Sequence, residues 1–111
     1  MSTIPWVQQI RSRPGVIAVG APSGDDVLHL RVEMAEAWEA IRMQAMPTDS
    51  VRALKLNALD AFAPGALFPD DFMIKLRGHE ILDESMSLAD AGALDGSIFL
   101  VAHRYRRPVR S

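Results

Sequence analysis

Cysteine is absent from this chain of 111 residues. Its absence excludes disulfides, thiolate zinc sites and a cysteine nucleophile, and it fits a reducing compartment. A cytoplasmic setting is the expectation. Lysine is nearly absent, with Lys55 and Lys75 as its only two occurrences, and no glycine follows Gly96. No apolar run approaches the roughly 18 residues that a membrane-crossing helix needs, so membrane insertion is not expected. Met1 to Ile10 lacks a basic start followed by an apolar stretch, which speaks against a secretory leader.

What is present suits one domain with a real core. About half of the chain is apolar (49%) and 23% is charged, with a formal net charge of -2. The charge is uneven. All fourteen acidic residues precede position 97, whereas the last nine residues carry Arg104, Arg106, Arg107 and Arg110 and no acid. Such a tail can touch nucleic acid, an acidic protein face or anionic lipid, or it can simply be a solvated end. Pro108 and the repelling arginines give residues 104–111 little to pack, so mobility is expected there.

Trp6, Val7 and Ile10 fit a short helical turn that Pro14-Gly15 breaks. Val16, Ile17 and Val19 fit a short strand before the turn-forming residues 20–24, and this whole stretch reads as an extension that either folds back or hangs free. From Val27 the pattern sharpens. Leu28, Leu30, Val32 and Met34 alternate with His29, Arg31 and Glu33, which predicts a half-buried strand. Ile41, Met43 and Ala45 alternate with Arg42 and Gln44, and the short connection predicts an antiparallel hairpin. Asp49 or Ser50 can cap a helix in which Val51, Leu54, Lys55, Ala58, Leu59 and Phe62 share one face. Pro64-Gly65 ends it. Phe72 to Leu76 reads as a strand, Arg77-Gly78-His79 as a tight turn, Glu80 to Leu82 as a short return strand, and Leu88 to Gly92 as one helical turn. Ile98 to Ala102 is an apolar last strand.

This order, with its punctuation, resembles the ubiquitin-like proteins over residues 27 to about 104. Met46-Pro47-Thr48-Asp49-Ser50-Val51 is similar to their strand-to-helix turn. Ile74 to Asp83 is similar to their third strand, glycine turn and short fourth strand. Leu88 to Gly92 followed by Asp95 to Val101 is similar to their short helix and final strand. The resemblance implies an α+β fold of the β-grasp type, with a mixed sheet of about five strands around one main helix. We expect an extension over 1–24, the domain over 25–104 and a basic tail over 105–111. The resemblance also implies an ion pair between Lys55 on the helix and Asp83; the alternative is that Lys55 lies at the stripe's edge and reaches water. Conjugated modifiers and β-grasp sulfur carriers need a terminal diglycine, whereas this chain ends Arg107-Pro108-Val109-Arg110-Ser111. Bacterial ubiquitin-like proteins associated with type VII secretion share that lack. The two lysines leave little for lysine-linked chains.

Sites of chemistry are scarce. His29, His79 and His103 stand apart, with no spacing that suits a metal. Asp25-Asp26 and Asp70-Asp71 sit in loops, where capping and solvation explain them. Gly20 to Gly24 lacks the lysine-serine pair of a phosphate loop. We therefore expect no catalytic, metal-binding or cofactor-binding residues, and no cofactor. In the last strand Ile98, Phe99, Leu100 and Val101 are all apolar, so either Ile98/Leu100 or Phe99/Val101 faces outward. Either the extension or a partner covers that second face. The expectation is a monomeric, noncovalent protein-binding module. Its surface would comprise Lys75, Arg77, His79, Phe99, Val101 and His103, with Arg104, Arg106 and Arg107 of the tail. The alternatives are a modifier conjugated after processing and a nucleic-acid binder; the overall acidity and the lone tail aromatic, Tyr105, weigh against the latter.

Overall fold

The computed structural model describes residues 11–62, 64, 65 and 68–104. A six-stranded mixed sheet packs one helix against its inner face. The strands are β1 (Arg11–Ala18), β2 (Leu28–Met34), β3 (Glu39–Ala45), β4 (Phe72–Leu76), β5 (His79–Glu80) and β6 (Ile98–His103), and the helix is α1 (Val51–Phe62). The spatial order is β1-β3-β2-β6-β4-β5. β2 and β3 form the expected antiparallel hairpin, with Leu30 opposite Met43 and Val32 opposite Ile41. β6 runs parallel to β2 and antiparallel to β4, so the last strand is central.

β1 is the addition to the expected five strands. It pairs parallel with β3 at the sheet edge, and its register shifts between Ser12 and Val16. Pro14 lies in that shift, where an edge strand can give up a ladder bond. Arg13 fastens the strand. Its guanidinium meets Glu39 at 2.6 Å, donates to the Ala61 carbonyl at 2.7 Å and lies 5.5 Å from the Phe62 ring centre. α1 has no basic residue in its last turn, so Arg13 supplies the cation that helix C-termini favour. The segment read as an extension thus lengthens the sheet in its own plane.

α1 begins at a side-chain cap. Ser50 Oγ accepts from the Ala53 amide at 3.0 Å, while Asp49 closes the preceding turn by accepting from the Met46 amide at 2.8 Å. The Val51 and Arg52 amides donate to Met86 and Glu84 carbonyls, so a loop satisfies donors that a helix start leaves open. Ser50→Ala is expected to cost about 1 kcal/mol in urea unfolding; no change in midpoint would show that the loop carbonyls suffice.

The core unites Leu28, Leu30, Val32, Ile41, Met43, Val51, Leu54, Ala58, Ile74, Leu76, Leu88, Phe99 and Val101. Ile81, expected inside, is only half-buried. The return strand is shorter than expected and ends at Glu80. Ile81 donates its amide to the Ile74 carbonyl at 2.9 Å, at the edge of the sheet beside β5. Residues 88–92 form hydrogen-bonded turns, not a helix. The expected tail mobility concerns residues that lie, beyond Arg104, outside the described set.

Lys55 is buried, 1% exposed, and does not reach water at the edge of the stripe. Its partner is a correction. Nζ donates to Glu84 Oε2 at 2.8 Å and to the Phe72 carbonyl at 2.6 Å, whereas the Asp83 carboxylate accepts from the Ser85 hydroxyl and amide. Those bonds hold the Asp83 carboxyl below its ordinary pKa.

Candidate functional site

The outer face of the sheet, opposite α1, is built by alternation. Burial of Phe99 and Val101, both 0% exposed, settles the register of β6. They are paired with Val32 and Met34 of β2, and with Leu76 and Ile74 of β4, all core residues. Outward therefore go Ile98, which is 52% exposed, and the half-buried Leu100 and Ala102. Beside them on β4 stand Met73 and Lys75, paired with Ala102 and Leu100. On β2 and β3 the outward positions are His29, Arg31, Glu33, Arg42 and Gln44. β1 extends this face and adds Val16, which is 50% exposed. The described part of the extension therefore widens the sheet instead of lying over β6.

The expected surface divides accordingly. Lys75 lies on the outer face, half-buried, opposite Glu80 and Leu100. Phe99 and Val101 must be removed from it, because a strand shows one face to each side and theirs is the core. His103 is also corrected. It is paired with Phe72 on the core side, and its ring meets the Phe72 ring edge-on at 5.1 Å. Its amide donates to Glu36 Oε2 at 2.9 Å, which ties the β2–β3 turn to the end of β6. His79 is exposed but shares its face with Leu76, so it sits on the edge strand facing away from Lys75. Arg77 and Gly78 both take positive φ, 54° and 83°, the pattern of a tight two-residue hairpin. The Arg77 guanidinium donates to the Gly92 carbonyl at 3.1 Å. Arg104 is exposed and pairs with Glu80 at 2.7 Å. Arg106 and Arg107 lie outside the described residues.

Arg31, Arg42, Val16, Ile98 and Leu100 enter where the sequence reading left gaps. The period-two pattern places both arginines outward, but their mutual position depends on the hairpin register. Beside them, Asp95 accepts from the His29 amide at 2.7 Å and meets its Nδ1 at 2.9 Å. These bonds, the amide first, hold the Asp95 carboxyl below its ordinary pKa. Among the described residues no group of three or more His, Cys, Asp or Glu side chains is placed to hold a metal. No described helix is long and apolar enough to cross a membrane.

No protein-family model and no curated protein matches the sequence. Solved structures do. The ubiquitin-like domain of an Arabidopsis thaliana protein, solved by NMR, aligns with a TM-score of 0.63 at 14% identity, over 83% of this chain and 93% of that one. The ubiquitin of Caldiarchaeum subterraneum aligns with a TM-score of 0.60 at 18% identity, over 72% of this chain and 96% of that one. A designed protein based on ubiquitin aligns with a TM-score of 0.61 at 14% identity, over 78% and 100%. Strand order, burial and these alignments agree that this chain has the ubiquitin-like β-grasp fold.

Proposed function

We propose that the chain is a noncovalent protein-binding module that works through the outer face of its sheet, and not an enzyme. The observation that carries this reading is the exposure of Ile98 beside Leu100 on the central strand. A central strand needs one apolar face for the core, and its second apolar face is explained by a partner. Arg31 beside Ile98, Lys75 beside Leu100 and the exposed Arg42 give this face positive charge that Glu33, opposite Leu100, offsets only in part, which suits a partner with an acidic rim. Two of the three histidines support the same reading. His103 braces Phe72, and His29 pins Asp95 at the surface, so each already has a structural role. Of the nine residues expected at the interface, this reading keeps Lys75, while the Arg77 guanidinium reaches the Gly92 carbonyl and that of Arg104 the Glu80 carboxylate.

Ile98→Asp tests the proposal. The position is half exposed, so the melting temperature should stay within a few degrees. Partners recovered by the unaltered chain in affinity capture should be lost. Leu56→Asp, on the exposed side of α1, is the control and should retain them. Equal capture by the Ile98 variant would defeat the proposal.

A further inference from the structure

Arg31 and Arg42 stand directly opposite each other on β2 and β3. Both occupy outward positions, since Leu30, Val32, Ile41 and Met43 on either side of them are buried. Like charges directly opposite on an antiparallel pair are destabilising. Glu33 compensates one of the two, with its Oε2 at 2.9 Å from Arg31 Nε. Asp95, the next carboxylate, is engaged by His29. Arg42 is exposed, and none of the ion pairs among the described residues includes it.

The flanks of this pair are apolar. Val16 is the neighbour of Arg42 on β1, and Ile98 is the neighbour of Arg31 on β6. They are 50% and 52% exposed. One row across four strands therefore reads apolar, cation, cation, apolar. Strands lie about 4.8 Å apart, so the row spans about 14 Å. His29 and Gln44 line the same shallow groove with Val16, Arg31 and Arg42.

The chemistry of an occupant follows from the row. A wholly apolar ligand would strip water from Arg42 and give nothing back. A cationic one would add to the repulsion. A lone inorganic anion would bridge the guanidiniums but leave Val16 and Ile98 wet. A carboxylate between the arginines gains charge-assisted bonds from the Arg42 fork and the favourable field of Arg31, and apolar side chains on either side of it cover the flanks. In an extended peptide, alternate side chains share a face, so residues i and i+4 are about 13–14 Å apart. That matches the row.

We propose that the Val16–Arg42–Arg31–Ile98 row docks an extended acidic segment of a partner protein, of the form apolar-x-Asp-x-apolar, with the aspartate seated between the two guanidiniums. The inference rests on the outer face being the binding surface, and it names the partner's chemistry and the part of the face that reads it.

The test is an NMR amide titration of the full chain with the capped peptide Leu-Ser-Asp-Ser-Leu. The expected result is shifts centred on Val16, Arg31, Arg42 and Ile98. Affinity should fall at least tenfold for the peptide with asparagine in place of aspartate, and at least tenfold for Arg42→Gln. Arg52→Gln, which removes an exposed cation on α1 away from the outer face, should change it less than twofold. Arg42→Gln should also melt no lower than the parent, because it removes a facing charge, so lost binding cannot be blamed on unfolding. Equal affinity for the aspartate and asparagine peptides overturns the inference. So does an Arg42-dependent response to phosphatidylserine vesicles or a single-stranded oligonucleotide with none to the peptide. Shifts confined to Lys75 and Leu100, unaffected by Arg42→Gln, overturn it while leaving the outer face as a binding surface. If Ile98→Asp also keeps all its partners, the broader proposal falls with it.

Discussion

Lys55→Met is expected to cost about 3 kcal/mol, the lower end of what breaking a buried ion pair costs. Methionine keeps most of the aliphatic stem, so little packing is lost. What disappears is the donor to two acceptors, the Glu84 carboxylate and the Phe72 carbonyl. Glu84 is not stranded, because Arg52 Nη1 lies 3.3 Å from its other oxygen; this keeps the loss from reaching the top of the range. Glu84→Gln should be at least as harmful. It leaves an ammonium, 1% exposed, with a carbonyl and a neutral amide in place of a countercharge. In a domain of this size about 3 kcal/mol corresponds to a fall of roughly 10 °C or more in melting temperature. The double variant Lys55→Met/Glu84→Gln should recover part of the loss, since removing both charges removes the desolvation that each demands. Thermal melts of the four proteins form a double-mutant cycle. Strictly additive losses would show that the two side chains do not act as a pair.

Lys55 also shows what the sequence could reveal. A lysine at i+4 from Val51 on an otherwise apolar stripe announces a buried cation in need of a partner. Which carboxylate answers depends on residues 81–87, an irregular loop without a period from which to count. The step from Asp83 to Glu84 is one residue, and in a loop one residue decides which side chain points at the helix. The hairpin was legible for the opposite reason. Leu28, Leu30, Val32 and Met34 commit their strand to a face, as Ile41, Met43 and Ala45 do theirs. The facing of Arg31 and Arg42 then follows from the turn at residues 35–38, which sets Met34 opposite Glu39. β1 was only half legible, because the register shift at Pro14-Gly15 interrupts the alternation that Val16 resumes. In β6 the signal failed. Four consecutive apolar residues carry no alternation, and only the neighbours Val32 and Leu76 determine that Phe99 points in.

That assignment makes a large and opposite pair of expectations for adjacent residues. Phe99→Ala should cost about 3–5 kcal/mol, the loss from truncating a core aromatic and leaving a cavity. The ring is 0% exposed and sits on the central strand between β2 and β4, so the cavity would open where sheet and helix meet. Domains of this size hold only about 5–15 kcal/mol in total, so the variant should be close to unfolding at 37 °C. Leu100→Ala, one residue on, empties space on the half-covered outer face, where no enclosed cavity can form. It should cost about 1 kcal/mol or less and should weaken partner capture without loosening the core. Urea unfolding of the two variants, read by far-ultraviolet circular dichroism, compares them directly. A one-residue slip exchanges the faces of a whole strand, so a severe loss with Leu100→Ala and a mild one with Phe99→Ala would invert the strand and move the binding face with it.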